Sequence, residues 1–175
     1  SYTDLCDLSE ARIETLDRRF VNETVFDIAG VSLPTLQAHP PSIIRRSLKV
    51  PEAASLSFSI AMHPSTYDAE GEGVRFLVEV DGECVFERYL DPKHRPEDQG
   101  WHDEEFDLSP WSGQSITIVF RTEAGPSERI EFCTAGWGRP RLYSGSPEPQ
   151  TMSRPSALRR VGVDVAHRAA SLMAQ

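Results

Sequence analysis

The sequence predicts an all-β protein: an antiparallel jelly-roll-like β-sandwich followed by a C-terminal amphipathic helix. Between residues 42 and 143, apolar residues alternate with polar ones in several short runs, which is the period of a half-buried strand. The pair Asp81-Gly82 separates two of these runs, and an Asp-Gly pair favours a two-residue hairpin because both turn positions need a positive φ. Gly, Pro and acidic residues fill the other gaps. Such turns with no long helix between the strands indicate a sandwich or barrel.

The first forty residues carry the weakest pattern. Ser9 is placed to cap a short helix with Ile13, Leu16 and Phe20 on one side. Residues 25–31 would then form an edge strand. We assign residues 1–143 to the sandwich domain, with residues 1–40 as its least defined segment.

The strands that follow are predicted from alternation alone. The expected strands cover residues 42–50, 55–62, 74–80, 83–90 and 114–122, with a shorter one around Ile130 and Phe132. Gly138 and Pro140 weaken the last predicted strand, because Pro cannot donate to the ladder, so that strand is expected at an edge or with a bulge.

Two segments after the sandwich differ from it in composition. Residues 144–155 are rich in Ser, Pro and Gly and predict a linker. Residues 156–174 predict a helix, because apolar side chains recur there at spacings of three and four, with arginines beside them. A basic amphipathic helix suits an acidic groove on another protein or an anionic surface. The predicted partner-binding residues are Leu158, Arg159, Arg160, Val161, Val165, Arg168 and Leu172.

Composition bounds the class of protein. The chain has 175 residues, room for one domain of ordinary size. Its formal net charge of −9 disfavours nucleic acid as a partner. No apolar stretch approaches the ~20 residues of a membrane span, and no signal peptide opens the chain. The expected location is therefore cytoplasmic, including a peripheral place at a membrane surface, with the periplasm as the alternative.

The cysteines support the same expectation. Cys6, Cys84 and Cys133 are odd in number, far apart and without CxxC spacing, which argues against a disulfide framework and a zinc site. Free thiols indicate a reducing compartment. A single disulfide between Cys84 and Cys133 stays open as the alternative.

Residues 73–142 resemble a bacterial module. The resemblance is to the galactose-binding-like, or carbohydrate-binding-module-like, β-sandwich that is appended to sulfatases, glycosyltransferases and membrane-associated enzymes. It implies a β-sandwich fold, permits a structural calcium ion, and leaves the ligand open, since such sandwiches carry many unrelated functions. The segments that carry it are 73–82, 90–92, Trp101-His102, 107–113, 120–126 and 135–142.

Three sets of side chains are candidates for binding. Trp101, Trp111 and Trp137, with Tyr143, would form a stacking platform for sugar rings if they are exposed, and otherwise fill the core. The run His102-Asp103-Glu104-Glu105 does not converge on one point, because neighbours in a strand face opposite ways, and it is interpreted as a solvated acidic edge. The structural calcium site that the resemblance permits would use the acidic side chains Asp68, Glu70, Glu72 and Asp98.

These observations favour a non-catalytic protein. The chain contains no Gly-x-Ser-x-Gly elbow, phosphate-binding loop, Rossmann glycine pattern or HExxH helix, so no catalytic residue, cofactor or metal is predicted. The preferred hypothesis is a structural or adaptor subunit, attached by its C-terminal helix and loops to a larger, membrane-associated or soluble protein assembly. The alternative is a carbohydrate-binding module that uses exposed Trp residues, and a third hypothesis is an accessory domain of a hydrolase.

Overall fold

The structure, a computed structural model, describes residues 1–145 and confirms the all-β prediction for them. Eleven strands within this range form two antiparallel sheets. Most of the predicted linker (144–155) and all of the predicted helix (156–174) lie outside the described residues. Within the described part, no helix is long and apolar enough to cross a membrane.

One sheet has six strands in the described range. They are β1 (Tyr2–Asp4), β3 (Val21–Ile28), β4 (Val31–Ala38), β6 (Ser55–Met62), β9 (His102–Asp107) and β11 (Ala135–Tyr143). The order is β3-β4-β11-β6-β9, and β1 pairs with the second half of β11. Of the edge strand predicted at residues 25–31, residues 25–28 belong to β3, which does lie at the edge, whereas Ala29 and Gly30 form a turn and Val31 begins β4.

The other sheet has five strands in the described range. They are β2 (Arg12–Thr15), β5 (Ser42–Lys49), β7 (Val74–Val80), β8 (Glu83–Leu90) and β10 (Ser115–Ala124). The order is β2-β5-β10-β7-β8. Short 3-10 turns link the strands at Leu8–Glu10, Arg18–Phe20, Pro64–Thr66, Pro96–Asp98 and Ser109–Trp111.

The inner faces of the two sheets share one apolar core. The predicted alternation holds, since every second residue of β6, β7 and β10 is buried in that core. Trp137 of β11 lies at its centre with no exposed surface. The rings of Phe58, Phe76 and Phe120 meet it edge-on, with centroids 5.5, 5.2 and 5.0 Å away. This geometry is the favourable one for aromatic pairs.

Two hairpins use the same turn geometry. Asp81 and Gly82 have φ of 49° and 83°, which confirms the predicted turn between β7 and β8. Ala29 and Gly30 have φ of 52° and 81° between β3 and β4. That second turn carries Ala where Asn or Asp is usual, and therefore gave no sequence signal.

The predicted N-terminal helix is wrong. Asp7, not Ser9, caps a single 3-10 turn, and its carboxylate accepts the amide hydrogen of Ser9 at 2.9 Å. Residues 12–15 then pair with β5 as strand β2. Strand pairing overrides the helical spacing here, because Ile13 gains a place against the core from β2.

One further prediction needs correction, and another is confirmed in one of its two forms. Ile130 and Phe132 lie in an irregular loop rather than a strand, and Phe132 has φ of 54° with its ring 61% exposed. The last strand, β11, is central rather than at an edge, although the bulge predicted from Gly138 and Pro140 is present, since the register with β6 shifts between Gly138 and Arg141.

Candidate functional site

The outer face of the six-stranded sheet is built on small residues. On β6 the inner-facing residues are large and apolar, so Ser55, Ser57 and Ser59 point outward. On the neighbouring β11, Gly136 and Gly138 pair with Ala61 and Ser59 and share their face. A low floor of serine and glycine therefore runs along the middle of the sheet.

Trp101 lies directly on this floor. A Cβ added to Gly138 would stand 2.6 Å from the indole ring, so only glycine permits the contact. The indole Nε1–H donates to the carbonyl oxygen of Val31 at 3.1 Å. On one side the ring packs against a small apolar cluster of Phe26, Ile28 and Ala61. The ring is thus held in one orientation by packing and by one hydrogen bond.

The bulge in β11 directs a cation to the same face. Arg139 is the extra residue of the bulge, is exposed, and has φ of 41°. The left-handed region costs a non-glycine residue roughly 1–2 kcal/mol. Bulges beside sites commonly re-aim a side chain in this way.

Strand β9 supplies carboxylates on the opposite side of the floor. Asp103 pairs with Ser59 across the ladder, and its carboxylate accepts the Ser59 hydroxyl hydrogen at 2.6 Å. Glu105 pairs with Ser57, and burial raises the pKa of its carboxyl while a hydrogen bond from Ser55 acts in the opposite direction. Both carboxylates are therefore oriented by serines of the floor.

These elements together enclose a cleft of about 330 Å³ on the outer face. We call it the outer-face cleft and define it by Ser57, Ser59, Trp101, Asp103, Arg139 and Tyr143. It combines two aromatic rings, two hydroxyls, a carboxylate and a guanidinium. Such a surface suits a flat, polyhydroxylated ligand, because ring faces take apolar C–H surface while carboxylate and guanidinium bond hydroxyls.

The end of the cleft at Tyr143 carries further aromatic surface. Tyr2 of β1 pairs with Tyr143, their ring centroids are 5.7 Å apart, and Tyr2 is 52% exposed. The guanidinium of Arg141 lies 4.1 Å from the centre of the Tyr2 ring. This contact is a cation–π pair.

The structure separates the three predicted tryptophans. Trp137 is fully buried and offers no ring face to a sugar, so the stacking role predicted for it is corrected. Trp111 is half-buried and packs on Phe106 with centroids 5.9 Å apart, away from the cleft. Trp101 lines the cleft. The predicted partner-binding residues 158–172 lie outside the described residues.

The acidic run of β9 faces two ways, as its alternation predicts. Glu104 and His102 turn towards the five-stranded sheet, where Arg88 of β8 bonds Glu104 Oε1 and His102 Nδ1, both at 3.2 Å. Asp103 lines the cleft, and Glu105 lies on the same outer face. The run is therefore an edge strand with two roles. His102 and Glu104 bond Arg88 of the other sheet, and Asp103 and Glu105 lie on the outer face.

The alternative calcium site does not form. Within residues 1–145 no group of three or more His, Cys, Asp or Glu side chains is arranged to hold a metal ion. Asp98 is buried and accepts the amide hydrogen of Asp91 at 3.0 Å, and Glu72 accepts that of Ser127 at 3.0 Å. These two carboxylates accept backbone hydrogen bonds in the loops instead of facing a common metal site.

No disulfide joins Cys84 to Cys133, so the alternative pairing does not form. Burial raises the pKa of Cys6 to about 12 and also raises that of Cys133. Neither thiol is activated as a nucleophile, since reactivity requires the thiolate.

Sequence reasoning identified Trp101 and Tyr143 but missed the polar half of the cleft. Asp103 was interpreted only as part of a solvated acidic edge. Arg139 was noted only as part of the segment 135–142, which carries the family resemblance. One signal was available: Ser55, Ser57 and Ser59 give β6 an outer face without large side chains. Such a face leaves room for a ligand between the strands beside it.

The fold is that of galactose-binding-like carbohydrate-binding modules, as the sequence resemblance predicted. One similar structure is the CBM51 module from Clostridium perfringens GH95 in complex with methyl-galactose, with a TM-score of 0.59, 15% identity, and coverage of 82% of this chain and 100% of that one. A second is the CBM51-2 and INT domains from Clostridium perfringens ZmpB, with GlcNAc, with a TM-score of 0.60, 16% identity, and coverage of 82% and 32%. A third is the tandem CBM51 modules of Sp3GH98 from Streptococcus pneumoniae SP3-BS71. Its TM-score is 0.58 and its identity 14%, and the match covers 82% of this chain and 47% of that one.

A sequence relative extends beyond this module. An uncharacterized protein from Archaeoglobus fulgidus is 43% identical over 105 residues, which cover 57% of this chain. The chain spans only 26% of that protein's length. No protein-family model matches the sequence.

Proposed function

We propose that this chain is a non-catalytic carbohydrate-binding module that binds glycan in the outer-face cleft. The observation that carries the proposal is the arrangement of Trp101, packed against Gly138, beside the oriented carboxylate of Asp103 and the exposed guanidinium of Arg139. The likeness of the fold to carbohydrate-binding modules supports it.

The expected affinity is modest. The cleft is open and polar, and small ligands gain roughly 0.3 kcal/mol per non-hydrogen atom in ordinary sites. A single sugar therefore binds with a Kd on the order of millimolar. Pre-organisation of Trp101 and Asp103 limits the entropy lost on binding, because neither side chain has to be ordered by the ligand.

The test is a glycan array followed by affinity gel electrophoresis on the glycans that score. Trp101→Ala and Asp103→Asn should each weaken retention about tenfold or more, since one stacked ring or one charged hydrogen bond is worth about 1–2 kcal/mol. Arg121→Gln, on the outer face of the other sheet, is the matched control and should retain glycan normally.

Two results would contradict the proposal. Retention of no glycan by the wild-type chain would remove the function. Loss of retention in Trp111→Ala but not in Trp101→Ala would move the site away from the cleft. Circular dichroism melts of each variant separate loss of binding from loss of folding.

The adaptor hypothesis remains a separate proposal. It depends on the predicted helix at residues 156–174 and its predicted contact residues. A chain ending at residue 145 should lose association with a protein partner yet keep glycan retention if the two roles are independent. Equal association of the full and shortened chains would remove the adaptor role.

A further inference from the structure

We propose that the outer-face cleft binds an internal stretch of an uncharged glycan chain, two to three sugar residues long, rather than a single terminal sugar. The inference rests on the proposed function and adds the length and the charge class of the ligand. It follows from the separation of the two aromatic residues along the sheet, from the exposed tyrosine pair at the Tyr143 end, and from the charges along the two sides.

The two aromatic rings mark the two ends of the cleft. Trp101 lies on Gly138, which pairs with Ser59, and Tyr143 pairs with Ser55. Ser55 and Ser59 are four residues apart on β6, or ~13 Å at the ~3.3 Å rise of a strand. A pyranose ring with its bridging oxygen spans roughly 5 Å when built from single bonds of about 1.5 Å. One sugar spans less than half of this separation, whereas two or three joined sugars span it.

The floor between the rings lets a chain pass. Ser57 is the residue between the two ends on β6, and it is small. At the far end the half-exposed ring of Tyr2, on the neighbouring strand β1, lies beside Tyr143. A longer glycan can therefore extend from Tyr143 over the tyrosine pair.

Charges along the two sides select the class of chain. On the β9 side, Asp103, Glu105 and Asp107 recur at every second residue and face outward. On the β11 side lie Arg139 and Arg141. Both kinds of group bond sugar hydroxyls. A chain bearing carboxylates or sulfates would meet the carboxylate row and a protein of net charge −9, so uncharged sugars are favoured.

The experiment is isothermal titration of the full chain with galactose, with β-1,4-linked galacto-oligosaccharides of two to five residues, and with the matching gluco series. In the series that binds, we expect affinity to rise at least tenfold from one to three residues and then to level off. Oligogalacturonate of three residues should bind at least tenfold more weakly than the uncharged trisaccharide.

Tyr143→Ala is the decisive variant. It should remove most of the gain between one and three residues, and Tyr143→Phe should restore that gain because the ring face is kept. Thr117→Ala on the five-stranded sheet is the control and should show the wild-type length dependence.

The possible failures are distinguishable. Equal affinity for mono- and trisaccharide, or a gain that survives Tyr143→Ala, overturns this inference and leaves the proposed function standing. Tighter binding of the oligogalacturonate than of the uncharged trisaccharide overturns the inference that the ligand is uncharged. Binding of no sugar from either series, together with a blank glycan array, removes the proposed function and this inference with it.

Discussion

The outer faces of the two sheets start from the same alternating pattern and end as different surfaces. On the five-stranded sheet the outward residues pair with one another. Arg121 of β10 bonds Glu79 of β7 at 3.2 Å, and Arg75 lies 3.5 Å from Glu87 of β8. On the six-stranded sheet the outward residues in the middle of β6 and β11 are serine, alanine and glycine, and an aromatic ring lies over them.

The difference shows what turns a sheet face into a site. Long charged side chains reach their cross-strand partners and cover the backbone between them, which leaves a closed, solvated surface. Small residues leave the backbone uncovered, so charged groups on flanking strands border a depression instead of closing it. The contrast can be tested by three changes, one on the floor of the cleft and one glutamate on each face.

The largest effect is expected from Gly138→Val. The new side chain would overlap the Trp101 ring, since even a Cβ would stand 2.6 Å from it. The ring must leave the floor, and we expect the free energy of unfolding to fall by about 2 kcal/mol, as for overpacking elsewhere. Urea denaturation measures the change, and a red shift of tryptophan emission reports the newly exposed indole.

Thr117→Val is the matched change on the outer face of β10. Thr117 is half-buried there, and its hydroxyl shares a hydrogen bond of 3.2 Å with the Ser47 hydroxyl on the neighbouring strand. Its backbone bonds to Asp81 do not depend on the side chain. Its effect on unfolding should stay within about 0.5 kcal/mol. Similar effects of the two valines would mean that the faces do not differ as described.

A smaller loss is expected from Glu79→Gln on the five-stranded sheet. The pair with Arg121 is partly shielded, with 18% of the Glu79 side chain exposed and 28% of that of Arg121. Removal of the charge should lower the free energy of unfolding by about 1 kcal/mol, the upper range for pairs near a surface. The loss should shrink in 1 M salt, and a loss independent of salt would argue against an ionic cause.

The smallest effect, of opposite sign, is expected from Glu105→Gln in the six-stranded sheet. Burial raises the pKa of Glu105, so the folded state holds this proton more tightly than the unfolded state does. Wild-type stability should therefore decline as pH rises from the ordinary value of 4.5 through the raised folded pKa. The glutamine variant cannot ionise and should be more stable at pH 7 by less than 1 kcal/mol, because solvent screens a half-buried group.

The measurement is thermal unfolding of Glu105→Gln and wild type from pH 3.5 to 8. The two curves should converge near pH 4, where wild-type Glu105 is protonated in both states. A glutamine variant that is less stable than wild type at pH 7 would show that the ionised form is the favoured one in the fold.

Much of the fold could be predicted from the sequence, because a strand that buries one face alternates apolar and polar residues. Leu56, Phe58 and Ile60 alternate with serines because β6 buries one face, and the Asp81-Gly82 turn is fixed by its two positive φ values. These signals are local. The helix prediction for the N-terminal segment failed because Ile13 pairs with Ile44, more than thirty residues away. A local sequence pattern does not contain that pairing.

The candidate site was harder to predict for the same reason. Trp101, Asp103 and Arg139 come from a loop end, an edge strand and a bulge, and only the register of β11, β6 and β9 brings them together. The sequence alone does not show which of Trp101 and Trp137 is buried. Their roles are separated by the strand pleat, which sends Trp137 inward and leaves Gly138 outward for Trp101 to cover.

The pairing of β1 with β11 has a mechanical consequence. Residues 1 and 144 lie at the same end of two antiparallel neighbours, where the amide of Ser144 donates to the carbonyl oxygen of Ser1 at 3.1 Å. Tension applied at these two residues would part the hydrogen bonds one after another, in the manner of a zipper, instead of loading them all at once in shear. Tyr2 would leave Arg141 and Tyr143 first, while Trp101 stayed seated.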